Sequence, residues 1–236
     1  MKRFPDWLPG KQFPDDVKMP WILVDQDGKR FMNEYDPYLQ DTGARPFAVF
    51  DPQRQLFPRI PAWFIADENG RKRHPFGKPT YHHAGVSFSW SADNLREVDL
   101  GIIQRADDIE SLSSTTGVSI EQLEHTIARW NHCCNASSDD DFARPAKSMM
   151  PINEPPYYVG EVWPLVNNTQ GGPVHDARQR VLNPYGEPVN GLYAAGELGS
   201  AFGYLYISGG NIAECFIGGR IAGREAAALA TGRKSE

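Results

Sequence analysis

Along this chain the apolar positions alternate between short strand-like runs and stretches of helical period. Trp21-Ile-Leu-Val-Asp25 and Lys29-Arg-Phe-Met-Asn33 flank Gln26-Asp-Gly28, which predicts a β-hairpin with an Asp-Gly turn. Ala62-Trp-Phe-Ile-Ala66 reads as a further strand that ends in the turn Asp67-Glu-Asn-Gly70. From Leu100 the period becomes helical. Asp107-Asp-Ile-Glu-Ser-Leu112 is one helical stretch, and Ser119 to Trp130 places Ile120, Leu123, Ile127 and Trp130 on one face at spacings of three and four. Ser119 with Gln122 has the form of a capping box at its start. Strand-like runs return at Tyr157 to Leu165, Gln179 to Leu182 and Gly191 to Ala195, the last two around the turn Asn183-Pro-Tyr-Gly186. A closing helix is predicted from Asn211 to Ala230, where Gly218, Gly219 and Gly223 weaken propensity but permit close backbone packing.

Between these elements, residues 35–60 are loop-rich, 71–92 are aromatic and His-rich without a period, and Asn135 to Asp141 is a polar acidic loop. Arg71-Lys-Arg73 reads as a surface cluster, and Asp139-Asp-Asp141 as a solvated turn, since it lacks the glycine and distal glutamate of a calcium loop. The organisation predicted is a connecting segment over 1–20, one unit over 21–155 and a second over 156–236, joined through the Pro-rich run from Met150 to Tyr158.

Composition narrows the classes. Hydrophobic residues make up 40% of the 236-residue chain and aromatics 11%, enough for a buried core. A net charge of −6 and the lack of a basic stripe argue against nucleic acid or an anionic membrane as principal partner. No apolar run approaches the roughly 18 residues of a membrane span. The start carries no signal-peptide apolar region, and Cys133, Cys134 and Cys215 are too few for a disulfide framework, so a cytoplasmic protein is expected. His82 and His83, with His74 upstream, point apart on a strand and lack a carboxylate at ligand spacing, so no metal site is expected.

The run Gly191-Leu-Tyr-Ala-Ala-Gly-Glu197 and the stretch from Tyr206 to Ala227 carry the chemistry. A strand ends in Gly196 and a carboxylate, crosses a Gly/Ser/aromatic loop, and enters a small-residue helix through Ser208-Gly-Gly-Asn211. The carboxylate can accept hydrogen bonds from sugar-alcohol hydroxyls, and the helix start offers unpaired N–H groups and partial positive charge for a reduced flavin ring. An ordinary strand-loop-helix unit would read the same way.

These motifs, with Trp21 to Glu34, Thr169-Gln-Gly-Gly172 and Gly218-Gly-Arg-Ile-Ala-Gly223, resemble the FAD-dependent fumarate reductases, aspartate oxidases and 3-ketosteroid dehydrogenases over roughly residues 19–230. The resemblance implies a mixed α+β and α/β fold. A substrate-capping domain would be followed by the C-terminal half of an FAD-binding, glutathione-reductase-like domain. It implies FAD as cofactor, with Glu197, Gly171, Gly172, Asn211 and Ile212 as its contacts. The family's nucleotide-binding G-x-G-x-x-G turn is absent from the chain, which implies a truncated product, a second polypeptide that supplies that unit, or self-association.

The resemblance also separates two branches. Fumarate reductases are similar to one another in clamping a dicarboxylate with two arginines and a histidine, and the matching positions here hold Tyr38, Tyr206 and Asn168. A dianion would be poorly compensated there. Glu34-Tyr-Asp-Pro-Tyr38 is similar to the ketosteroid dehydrogenase stretch whose tyrosine is the base, and Tyr206 matches the tyrosine that bonds the substrate ketone. Gly210 and Asn168 complete the implied substrate contacts. The expectation is an FAD-dependent dehydrogenase or reductase acting on a C–C bond beside a carbonyl, with a ketone-bearing, steroid-like substrate. The alternative is a non-catalytic fragment or partner-binding subunit that binds no FAD by itself.

Overall fold

Strands β1 (Trp21–Val24), β2 (Ala62–Asp67), β3 (Gln104–Ala106) and β4 (Tyr157–Val162) form one antiparallel sheet, in the order β1-β2-β4-β3. The computed structural model describes residues 19–35, 45–73, 76, 91–164, 169–202 and 209–232. The chain divides into two units, residues 1–164 and 165–236.

In the first unit the strand period of two buries both faces of the sheet. Ile22, Val24, Ile65 and Val159 face one side, where they pack with Leu112, Leu123, Ile127 and Trp130. Trp21, Phe64 and Tyr158 face the other, with Phe76 and Ile103. The helices are α1 (Glu68–Arg73), α2 (Leu95–Asp99), α3 (Ile109–Thr116) and α4 (Ile120–Ala136). Helix α4 follows the predicted period, and the Ser119 hydroxyl caps it by accepting from Gln122 N–H at 3.3 Å. Its buried stripe is Leu123, Thr126, Ile127, Trp130 and Cys133. Ile120, expected on that face, is 40% exposed; it is the first residue of the helix, and the buried stripe starts one turn later at Leu123.

Several local expectations are corrected by non-local partners. Residues 29–33 form no second hairpin arm; only Arg30 bridges to Val24, and β1 pairs instead with β2, Ile22 opposite Ile65. The Asp-Gly turn closes on itself, since Asp25 Oδ1 accepts from the backbone N–H of Asp27 (3.0 Å) and Lys29 (2.9 Å). Glu34 Oε1 then accepts the Leu23 N–H at 3.1 Å, which occupies the strand edge that the arm would have used. The expected turn at 67–70 opens helix α1. Buried Asp67 caps Gly70 N–H at 2.8 Å and with its other oxygen holds the N–H groups of Asn153 and Glu154. Strand β3 interrupts the stretch read as helical from Leu100. The Arg71 side chain is only 11% exposed and is bound to Glu68 at 2.6 Å, so that cluster is not purely surface.

Strand β4, which opened the second unit in the sequence reading, pairs with β2 over six positions and belongs to the first unit. The unit boundary therefore falls at Pro164/Leu165 and not at 155/156.

The acidic loop is corrected most strongly. Asp139 is buried and takes both Arg30 nitrogens, at 3.1 and 3.0 Å, while Arg30 also pairs with Glu34 at 2.8 Å. Burial works to raise the Asp139 carboxyl, but Arg30 holds it below its ordinary range. Both Arg30 and Arg144 lie over the Trp130 ring, at 4.5 and 4.8 Å.

In the second unit β5 (Arg180–Leu182) and β6 (Pro188–Tyr193) pair antiparallel around the predicted Asn183–Gly186 turn, and helix α5 runs from Gly210 to Thr231. Close packing is required at Gly218, where an added Cβ would lie 3.2 Å from Ala195 Cβ; Gly219 and Gly223 face open space. No helix among the described residues is long and apolar enough to cross a membrane.

Candidate functional site

The second unit gathers the flavin-motif residues around one carboxylate. Glu197 follows β6 by a short turn, and its Oε2 accepts from Thr169 N–H (3.3 Å) and Thr169 Oγ1 (3.1 Å). Its Oε1 accepts from Asn211 Nδ2 at 2.9 Å, in the first turn of α5. The backbone repeats the connection: Gly171 N–H donates to Glu197 O at 3.1 Å, Gly199 N–H donates to Gly171 O, and Gly171 bridges Leu198 in parallel. Sequence positions 169–172, 197–199 and 211 are thus held together by side chain and main chain.

The two glycines are needed for different reasons. Gly171 has φ +143° and a Cβ there would meet nothing within 4 Å, so the backbone face is open to a ligand. Gly172 has φ +118° and a Cβ would lie 2.9 Å from Leu198 Cδ1 and 3.0 Å from Gly199 N. Gly209 precedes helix α5 as its N-cap, with φ +83° and no side-chain cap, and Gly210, the first residue of the helix, is buried. Ile212 lies in the same turn with its side chain 64% exposed. Tyr38, Tyr206 and Asn168, expected as base, carbonyl donor and substrate contact, lie outside the described residues.

Residues that the sequence reading passed over complete the arrangement. Gln170 Nε2 donates to Asn211 Oδ1 at 3.0 Å. Glu214, one turn along α5, accepts from Ser200 Oγ at 2.9 and 3.0 Å and from Ala201 N–H at 2.6 Å, which ties the loop after Glu197 to the helix. The i, i+3 spacing of Asn211 and Glu214 was the available signal. Both point from the start of α5 toward the loop.

Elsewhere, Cys133, Asp139 and Asp141 bring ligand atoms within 4.8 Å of one another. Their carboxylates are already engaged, Asp139 by Arg30 and Asp141 by Arg129 at 2.9 and 3.1 Å.

The chain belongs to the FAD binding domain family, which matches residues 17–212. It is 32% identical over 214 residues to the NADH:acrylate oxidoreductase of Vibrio harveyi, covering 89% of this chain and 19% of that protein. It is 30% identical over 226 residues to the 3-oxosteroid 1-dehydrogenase of Mycolicibacterium smegmatis, covering 89% of this chain and 38% of that protein. The solved open conformation of a flavocytochrome c3 fumarate reductase matches with a TM-score of 0.57 and 28% identity, over 94% of this chain and 36% of that one. The chain therefore spans well under half the length of these proteins.

The cofactor that this membership indicates is FAD. The donor set fits its sugar-alcohol and ring portion: an oriented carboxylate, an open glycine face and an uncapped helix start lie within one hydrogen-bonded cluster. No G-x-G-x-x-G turn for a pyrophosphate occurs in the sequence.

Proposed function

We propose that this chain carries the substrate cap and the ribityl and ring side of the FAD site of an oxidoreductase that acts on a C–C bond beside a ketone. The observation that supports the cofactor half is the convergence of Thr169, Gly171 and Asn211 on Glu197. Glu197 would accept from ribityl hydroxyls, Gly171 and Gly172 would let the ring approach the backbone, and the first turn of α5, with Asn211 and Ile212, would face its electron-rich edge. Bound FAD supplies the two-electron redox partner.

The substrate half rests on Tyr38 and Tyr206, the residues that the resemblance to fumarate reductases matches with charged groups of that branch. Tyr206, with the Gly210 N–H, would donate to the carbonyl oxygen and stabilise the enolate-like charge that builds there. Tyr38 would take the acidified α-proton in dehydrogenation, or return it in reduction. Asn168 would bond the substrate without adding charge. A ketone-bearing, mostly apolar molecule of the steroid class suits this set better than a dianion.

The test is anaerobic. The purified chain is loaded with FAD and its visible absorbance is followed with a saturated 3-ketosteroid, and in parallel fumarate is added after dithionite reduction. Bleaching by the ketosteroid without reoxidation by fumarate supports the reading; reoxidation by fumarate alone contradicts it.

One observation favours a second reading, a partner-binding subunit. Phe216 and Ile217 on α5 are 77% and 62% exposed, an unusual density of large apolar side chains for one helix. Gel filtration that shows a colourless associated species unable to take up FAD would select it.

A further inference from the structure

Asn211 makes two hydrogen bonds through opposite atoms of one amide, and the chemistry of its neighbours fixes which atom faces which. Both Glu197 oxygens act as acceptors, Oε2 from Thr169 and Oε1 from Asn211, so the Asn211 nitrogen faces the carboxylate, at 2.9 Å. The Asn211 oxygen is thereby turned toward Gln170, whose amide must in turn present its nitrogen, at 3.0 Å. The result is a relay of one polarity, Gln170 to Asn211 to Glu197, in which each donor is set by the acceptor beyond it. Thr169, the residue before Gln170, donates to the other Glu197 oxygen through both N–H and Oγ1, so one dipeptide steadies the carboxylate from two sides.

We propose that Gln170 is a positioning residue for the cofactor site. It does not touch Glu197; it holds the Asn211 amide in the sense that donates to Glu197, and so fixes the carboxylate orientation that a ribityl chain meets. This inference rests on the flavin reading of Glu197. The relay predicts an asymmetry that mere packing would not produce. Gln170→Met keeps much of the shape and removes the donor. Gln170→Glu keeps the shape and reverses the polarity: an ionised carboxylate draws the Asn211 nitrogen to itself and turns the Asn211 oxygen toward Glu197, acceptor against acceptor. Protonating the introduced carboxyl restores an O–H donor, and with it the original sense.

Two measurements over the same pH range test this on the purified wild-type chain, Gln170→Met and Gln170→Glu. The first is the melting temperature without FAD. Gln170→Glu melts several degrees below wild type at neutral pH. The gap closes as pH falls through the carboxylate range, while the Gln170→Met gap stays constant. The second is the FAD dissociation constant from flavin fluorescence quenching. Gln170→Glu weakens binding about tenfold at neutral pH, the worth of one hydrogen bond in a polar site, and recovers on acidification. Wild-type melting and affinity in Gln170→Glu at all pH values overturn the proposal, as does a melting gap that closes with no change in FAD affinity. A closing melting gap in a chain whose wild type binds no FAD leaves the relay standing and removes the flavin reading instead.

Discussion

Arg144 Nη1 lies 3.3 Å from Glu34 Oε2, with side chains 0% and 1% exposed. The guanidinium also donates to the carbonyls of Trp21 (2.7 Å), Met19 (2.5 Å) and Ser148 (3.0 Å), and burial pulls its pKa down. Glu34 in turn caps Leu23 N–H and pairs with Arg30. One carboxylate therefore joins the edge of β1 to two buried cations.

Removing Arg144 leaves Arg30 alone against the carboxylates of Glu34 and Asp139, an excess buried negative charge that costs more than the pair is worth. Arg144→Met is expected to destabilise the first unit by about 3–5 kcal/mol. Its urea midpoint should fall with the slope unchanged. A loss within about 0.5 kcal/mol, the range of an ordinary surface substitution, would show that the pair is dispensable.

Acid should weaken the same unit through Glu68, whose bonds to Arg71 and Tyr158 hold its carboxyl at about 2 against burial. The folded pKa lies below the unfolded value near 4.5, so the contribution is present above 4.5 and disappears as pH falls toward about 2. Melting temperature scanned across that window should drop, and Glu68→Gln should flatten the drop. Identical pH profiles for variant and parent would contradict the assignment.

Glu197→Ala strands the Thr169 and Asn211 donors and removes the proposed ribityl acceptor. A loss of about 1–3 kcal/mol in FAD binding follows, or roughly 5- to 150-fold in Kd, by fluorescence titration. Unchanged affinity would place the cofactor elsewhere.

Tyr206→Phe should lower kcat/KM for a ketosteroid by roughly 100-fold or more, the usual cost of losing one oxyanion donor. Tyr38→Phe should act mainly on kcat, since it removes the proposed base and leaves substrate binding in place. Full turnover by the double variant would remove both roles.

What was legible in the sequence follows from how far apart the partners lie. Helix α4 and the hairpin of β5 and β6 were readable, since period, cap and turn all reside within a few residues. The pairing of β1 with β2 was not, because the Asp-Gly turn offered a local hairpin while the actual partner lies some forty residues on. Asp139 read as solvated from three consecutive acids, and only Arg30, distant in sequence by 109 residues, makes it a core residue. At the candidate site, Glu197, Gly171, Gly172 and Asn211 stood out by motif. Gln170 and Glu214 did not, since their meaning comes from the loop and helix that face them.

Flavin absorbance of the FAD-loaded chain under anaerobic titration with a saturated 3-ketosteroid reports directly on whether the flavin takes electrons from a C–C bond beside a ketone. Stoichiometric bleaching that Tyr206→Phe slows by orders of magnitude is the predicted result. A spectrum unmoved by the ketosteroid, with reduced flavin reoxidised by fumarate, would contradict it.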